Sequence, residues 1–305
     1  MTPHLASAPI AIVGPTASGK SAVAMALAER FGDAELVSVD SMQVYRGMDI
    51  GTAKPSPDDR ARIRHHLLDL VEPTETFTVA AFQRAARVAV VDIESRSRRA
   101  IYVGGTGLYH RAVIDDLDLP GEWPEIRAAL HAEADDVGVP ALHARLAAID
   151  PAAAARIEPG NARRIVRALE VWQGSGRRFS SFGPGLDAYP DTPIVQIGLR
   201  WDRETLAQRI EQRVQRMVSE GFLAEVASLA ERGFSHTAAQ ALGYRELLAH
   251  LRGETSFDEA VELTIVRTRQ FAVRQLRWFG RDPRVTWVEV AADPVGEVIT
   301  RLLDG

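Results

Sequence analysis

Gly14-Pro15-Thr16-Ala17-Ser18-Gly19-Lys20-Ser21 spells G-x-x-x-x-G-K-[ST], and the apolar run Ile10-Ala11-Ile12-Val13 stands directly before it. A strand that feeds a glycine-rich turn and then a helix is the setting in which this motif cradles phosphate. The two glycines let backbone N–H groups turn inward, and the helix brings its positive end to the same point. Lys20 adds a compact cation for the terminal phosphate, and the Ser21 hydroxyl is a ligand for Mg²⁺. A group carrying a di- or triphosphate is the expected ligand.

Asp40 closes the apolar stretch Glu35 to Val39, which reads as a neighbouring strand. A carboxylate there can take a proton from an attacking group or hold the Mg²⁺ shell through water. A plain turn cap fits the same residue. The polar loop Ser41-Met42-Gln43-Val44-Tyr45-Arg46-Gly47 follows it. A third strand, Ala100 to Val103, ends in Gly104-Gly105-Thr106-Gly107, read as a second close-approach turn with the Thr106 hydroxyl facing the phosphate. An ordinary strand-to-helix turn has the same spacing. The carboxylate that usually ends such a strand in a nucleotide hydrolase is missing. Val90-Val91-Asp92 lies inside a helical pattern, and no Asn-Lys-x-Asp guanine reader is present. The turn therefore speaks for a diphosphate group more than for nucleotide hydrolysis.

Three arginine groups complete the chemistry: Arg163, Arg164 and Arg167; Arg209, Arg213 and Arg216; and Arg267, Arg274 and Arg281 with Arg277 between them. The last set recurs every seven residues, as on one helix face, interleaved with Trp278 and Phe279. Such a stripe suits an RNA backbone, and equally a solvated face. Arg213, set between Ile210 and Val214, is the candidate for a buried arginine that stabilises a departing diphosphate. His65-His66, if helical, point to different faces and read as exposed or capping residues, not as metal ligands.

The elements that must hold these groups alternate strand and helix through the first third of the chain, with Lys20 to Arg30 and Thr78 to Ser95 as helices. That pattern predicts a parallel sheet flanked by helices, with ligands beyond the carboxyl ends of the strands. From Pro124 to about Trp172 the chain is rich in Ala, Leu and Arg and reads as short helices; 174–190 is a Gly/Ser/Pro-rich loop. Ile194 to Leu199 returns as a strand, long helices follow from Asp202, and Val285 to Val290 is a last strand. The expected architecture is α/β, a P-loop NTPase-like sheet over 1–119 and 188–305 with a helical insertion domain over 120–187.

The 305 residues are 46% hydrophobic and 25% charged, ample for a buried core. Absence of cysteine excludes disulfides, thiol nucleophiles and thiolate zinc sites, and a reducing cytoplasm is the expected home. No stretch reads as a membrane span or signal sequence. The net charge of −5 makes any nucleic-acid contact a matter of local patches. Lys20 and Lys54 are the two lysines of the chain, so an ammonium in the phosphate turn looks selected.

The phosphate turn, the sixteen-residue block Asp40 to Pro55 (DSMQVYRGMDIGTAKP) and Gly104-Gly105-Thr106-Gly107-Leu108-Tyr109 resemble the tRNA dimethylallyltransferase family, the bacterial tRNA isopentenyltransferases. So do Arg163 to Glu170 (RRIVRALE), Gln240 to Arg245 (QALGYR) and Thr268-Arg269-Gln270, which carries the resemblance across essentially the whole chain. The resemblance implies transfer of a dimethylallyl group from dimethylallyl diphosphate to N6 of the adenosine at tRNA position 37, beside the anticodon, with Mg²⁺ and without a partner subunit. It implies that Gly14 to Ser21 grip the prenyl diphosphate, that Asp40 is the general base, and that Thr106 and Arg213 serve the leaving group. It implies tRNA contacts from Asp40, Ser41, Met42, Gln43, Thr106, Arg127, Arg163, Arg164, Ile165, Val166, Arg167, Gln240, Ala241, Leu242, Gly243, Tyr244 and Arg245. Where the family often has a lysine, this chain has Val273, with Arg274 expected in its place. The zinc module of larger relatives is not expected in a chain without cysteine. Two other readings share the phosphate turn: an ATP-dependent small-molecule kinase, and a nucleotide-gated RNA-binding protein without turnover.

Overall fold

Each residue of Ile10–Val13 is buried, as a strand covered on both faces requires. In a computed structural model of the chain, which describes residues 8–183, 185, 186 and 188–304, this strand is β1. It leads through the glycine turn into α1 (Lys20–Phe31), followed by β2 (Ala34–Ser38), α2 (Pro57–Arg62), β3 (His65–His66), α3 (Val79–Ser95), β4 (Arg99–Val103) and α4 (Gly107–Ile114). A helical stretch contains α5 (Pro124–Val137), α6 (Val139–Ile149), α7 (Pro151–Ala154) and α8 (Ala162–Ser175). The chain returns as β5 (Val195–Arg200), α9 (Arg203–Ser219), α10 (Phe222–Arg232), α11 (His236–Ala239), α12 (Tyr244–Leu251), α13 (Phe257–Phe279), β6 (Val285–Glu289) and α14 (Pro294–Ile299).

Contacts divide the chain into two units, with the breaks at Ile114/Asp115 and Pro190/Asp191. In the first unit the sheet order among the described residues is β3-β2-β4-β1-β5-β6, and every pairing is parallel. Ile101 of β4 aligns with Ile10 on one side and Leu36 on the other, so β2, β4 and β1 end side by side. That adjacency is what brings Asp40, Gly104 and the phosphate loop to one place. One face of the sheet packs Tyr45, Phe82, Phe222 and Tyr244, and the other packs Leu27, Ile210 and Ala272. On α1, Val23, Ala24, Leu27 and Ala28 face inward at helical spacing, and Gly32 at φ 74° stops the helix. Thr78 caps α3 by accepting from Ala81 N, which sends Phe82, Ala86 and Ile93 into the core.

In the second unit α8 buries Ile165, Val166, Ala168 and Leu169 in a cluster with Leu130 and Leu142. Its Glu170 is a buried carboxylate. It accepts from Arg127 Nε at 2.9 Å and Trp123 N at 2.7 Å, and it pairs with Arg167.

Some expectations change. His65 and His66 are not helical: they pair with Leu36 and Val37 as an edge strand, and His66 Nε2 meets the buried Glu35 carboxylate at 2.7 Å. Burial alone would raise Glu35; the hydrogen bonds from Arg96 and His66 outweigh it and bring the carboxyl down to about 2. The seven-residue arginine stripe is broken, because α13 ends at Phe279 before Arg281, and Arg267 is bound to the buried Glu246. The segment 174–190, read as a loop, begins inside α8 and holds a short helical turn at Phe179–Ser181; its Pro184 and Asp187 lie outside the described residues.

Candidate active site

The phosphate loop is held from outside by its own carbonyls. Lys20 Nζ donates to Pro15 O at 2.5 Å, Arg209 Nε to Ala17 O at 2.9 Å and Trp201 Nε1 to Ser18 O at 3.0 Å. Arg209 also lies over the Trp201 ring at 4.2 Å, which fixes both donors. From α13, Gln275 accepts from Thr16 N at 2.8 Å and donates to Gly105 O at 2.9 Å, stitching the first turn to the second. Thr16 N–H is taken by Gln275 and Ser18 N–H by Pro15 O at 3.3 Å, so these bonds hold the turn in the shape of an anion cradle before any anion arrives. Ser18 Oγ is buried and has no hydrogen-bond partner among the described residues.

A cavity of about 380 Å³ opens over the cradle. Its wall includes Thr16 to Ala22, Asp40, Gln43, Thr52, Ala53, Gly104, Gly105, Arg209, Arg213, Arg216, Phe271 and Gln275. Lys20 is pulled from 10.5 down to about 7, first by burial and then by Arg213, with Asp40 opposing. Burial also lowers Arg213, again against Asp40. Four cations, Lys20, Arg209, Arg213 and Arg216, and one carboxylate, Asp40, line the same cavity, which is the electrostatic signature of a site shaped for an anion.

Asp40 is partly exposed at this wall, and its Oδ1 accepts from Met42 N at 2.8 Å in an Asx turn. One oxygen thus orients the carboxylate and the other is left for chemistry. Thr106 stands beside the cavity and not in its wall; its Oγ1 accepts from Ser41 N at 3.3 Å and lies 3.4 Å from Ser41 Oγ. Gly104 makes the close approach that the double-glycine turn suggested, since a Cβ there would fall 2.0 Å from Val39 O. The Ser21 hydroxyl is exposed at the cavity, while Gly14 and Pro15 lie behind it.

The structure gathers the first and second arginine-bearing sets differently. Arg209, Arg213 and Arg216 on α9 all line the cavity. In the second unit Arg163 and Arg164 are exposed, whereas Ile165 and Val166 are core residues whose side chains cannot meet a ligand there. Arg127 and Arg167 are committed to Glu170. Gln240 is exposed and Leu242 partly so, but Ala241, Gly243 and Tyr244 are buried, and Arg245 is paired with Glu246. Arg274 is exposed and lies outside the cavity wall, which α13 reaches through Phe271 and Gln275. Gln275, Trp201 and Arg209 as loop anchors escape sequence reasoning, because their roles lie in backbone carbonyls far away in the chain.

Residues 43–282 match the profile of the IPP transferase family. The chain is 50% identical to a tRNA dimethylallyltransferase of Geobacter metallireducens over 285 residues, 92% of each chain. It is also 50% identical to one of Kineococcus radiotolerans, over 97% of this chain and 95% of that one. The crystal structure of a Bacillus halodurans tRNA isopentenylpyrophosphate transferase aligns with a TM-score of 0.70 at 40% identity, covering 97% of this chain and 94% of that one. A eukaryotic dimethylallyltransferase captured acting on tRNA aligns at 0.76 and 26% identity, covering 92% and 73%.

Proposed function

This chain belongs to the IPP transferase family, and from that premise we propose that it is a tRNA dimethylallyltransferase, moving a dimethylallyl group from its diphosphate to N6 of the adenosine at tRNA position 37. The observation that carries this reading is the cavity: an anion cradle facing Asp40, with no hydrolytic carboxylate at the end of β4. The kinase reading is set aside, since the relatives bear prenyl-transfer names.

Dimethylallyl diphosphate lies with its diphosphate on the N–H groups of the loop, beside Lys20 and Arg213. The exocyclic amine of adenine attacks the first carbon of the prenyl chain; the N6–C bond forms as the C–O bond to diphosphate breaks. The electron pair leaves with diphosphate, and the N6 proton passes to the free oxygen of Asp40. An exocyclic amine is a weak nucleophile, so alignment and stabilisation of the departing anion supply most of the acceleration. The target base must leave its stack, which costs least in a single-stranded loop. Thr106 fixes the Ser41 backbone beside the base. Arg163 and Arg164, with Gln240 and Leu242, are the remaining exposed candidates for tRNA contact.

Mg²⁺ fits the donors present. Ser21 Oγ is at the cavity, and no cluster of three or more His, Asp or Glu among the described residues forms an all-protein cage. A cation held by one or two side chains takes its other ligands from diphosphate and water. Bound there, it would supply neutralisation of the leaving group. No helix among the described residues is long and apolar enough to cross a membrane; we take the enzyme to act as a monomer in the cytoplasm.

The test is to mix the protein with labelled dimethylallyl diphosphate, Mg²⁺ and unmodified tRNA. Label is expected in the tRNA. Label that enters only from ATP, or not at all, overturns the assignment.

A further inference from the structure

Resting on that reading, we propose that Glu225, on α10, is a positioning residue that sets the cavity wall at Thr52 and Ala53 and, through Gln43, the approach to Asp40. Its Oε2 accepts from Asp49 N at 3.0 Å and Ile50 N at 2.7 Å, and its Oε1 accepts from Gly51 N at 3.2 Å and from the Tyr244 hydroxyl at 2.5 Å. Three successive amides turned toward one point make an anion nest, the same device that binds phosphate elsewhere in proteins. Here the anion is internal.

The seat beneath the nest is closely fitted. Gly51 lies against two rings, and a Cβ there would fall 2.2 Å from Phe222 Cε2 and 2.5 Å from Tyr244 Cε2. Immediately onward, Thr52 O and Ala53 O accept from Gln43 Nε2 at 3.1 and 3.2 Å. Gln43 Oε1 in turn accepts from Ser38 Oγ at 2.7 Å, at the end of the strand that leads to Asp40. Gln43, Thr52 and Ala53 all line the cavity with Asp40. A carboxylate behind the wall therefore fixes the wall through two sets of hydrogen bonds joined by the backbone of residues 51–53. All four groups that face Glu225 are donors, so an amide in its place would turn its own N–H₂ toward a donor.

The experiment compares wild type, Glu225→Gln and Tyr244→Phe in the labelled transfer assay, with dimethylallyl diphosphate affinity measured separately by calorimetry. Assays run at least about 15 °C below each variant's Tm, where a purely stabilising residue leaves kcat unchanged. Glu225→Gln is expected to lower kcat by roughly ten- to a hundredfold, the scale of a small misplacement of reacting groups. Its affinity for dimethylallyl diphosphate should stay within about twofold, because the phosphate loop is anchored independently. Tyr244→Phe, which keeps the three amide bonds, should lose about threefold in kcat with the same unchanged affinity. Should Glu225→Gln not fold, the kcat loss and affinity of Tyr244→Phe decide alone. A kcat within twofold of wild type, or a diphosphate affinity that falls in step with kcat, overturns the proposal. Wild-type protein that transfers no label would end the prenyl-transfer reading instead.

Discussion

Lys20 shows how one residue couples ligand and proton. Burial and Arg213 bring its ammonium down to about 7, while the unfolded chain keeps it near 10.5. Between those values the unfolded state holds the extra proton, so this group's contribution to stability rises with pH from about 7 to 10.5 and is at its most unfavourable below 7. A diphosphate in the cradle reverses the balance by favouring the charged form. At pH 8, binding of dimethylallyl diphosphate should therefore take up a proton, seen as a binding enthalpy that varies with the ionisation enthalpy of the buffer. Lys20→Met should abolish that variation. Asp40 makes a separable prediction. Asp40→Asn keeps an acceptor for Met42 N but no base, so kcat should fall by about 10²–10⁴. Diphosphate affinity should hold or improve with a nearby negative charge gone; an affinity loss with normal turnover would contradict the base role.

At the scale of elements, the block from Asp40 to Pro55 is a loop with its own strut. Lys54 is 1% exposed and donates to Tyr45 O at 2.5 Å, to Asp49 at 2.8 Å and to Asp69 at 2.6 Å. Its role is structural, in contrast to Lys20. Removing one partner of a buried ion pair costs about 3–5 kcal/mol, and less here because both carboxylates reach water; Lys54→Met should cost about 2 kcal/mol in urea unfolding. The principal strands and helices of the sheet unit were legible because apolar runs and helical spacing mark them, and the phosphate cradle because its spacing encodes backbone conformation. β3 was not legible: two histidines carry no apolar run, and a bond to Glu35 holds one of them. The ion pairs of Arg127 and Arg167 were not legible either, since the buried carboxylate of Glu170, on the same helix as Arg167 and on a different one from Arg127, decides where they point. Glu225 was invisible for a related reason. Its partners are main-chain N–H groups, and no side-chain pattern records which way those face.

For the whole molecule, a net charge of −5 and a polyanionic substrate must be reconciled locally. Several arginines are engaged by internal carboxylates, whereas Arg163 and Arg164 are exposed on α8. The double variant Arg163→Ala, Arg164→Ala should raise KM for tRNA and flatten the slope of its logarithm against log salt by about one to two, with KM for dimethylallyl diphosphate unchanged. An unchanged salt slope would move the RNA contact elsewhere.

The sheet's wiring also dates the birth of the active centre. β1 lies between strands that begin near residues 99 and 195, and Thr16 waits for Gln275, 259 positions away. A ribosome releasing this chain from its amino end therefore delivers the cradle's sequence first and its fastenings almost last. The nascent protein should remain unable to grip its donor until nearly the entire polypeptide has emerged, while residues 115–190, whose core is their own, can settle in the meantime.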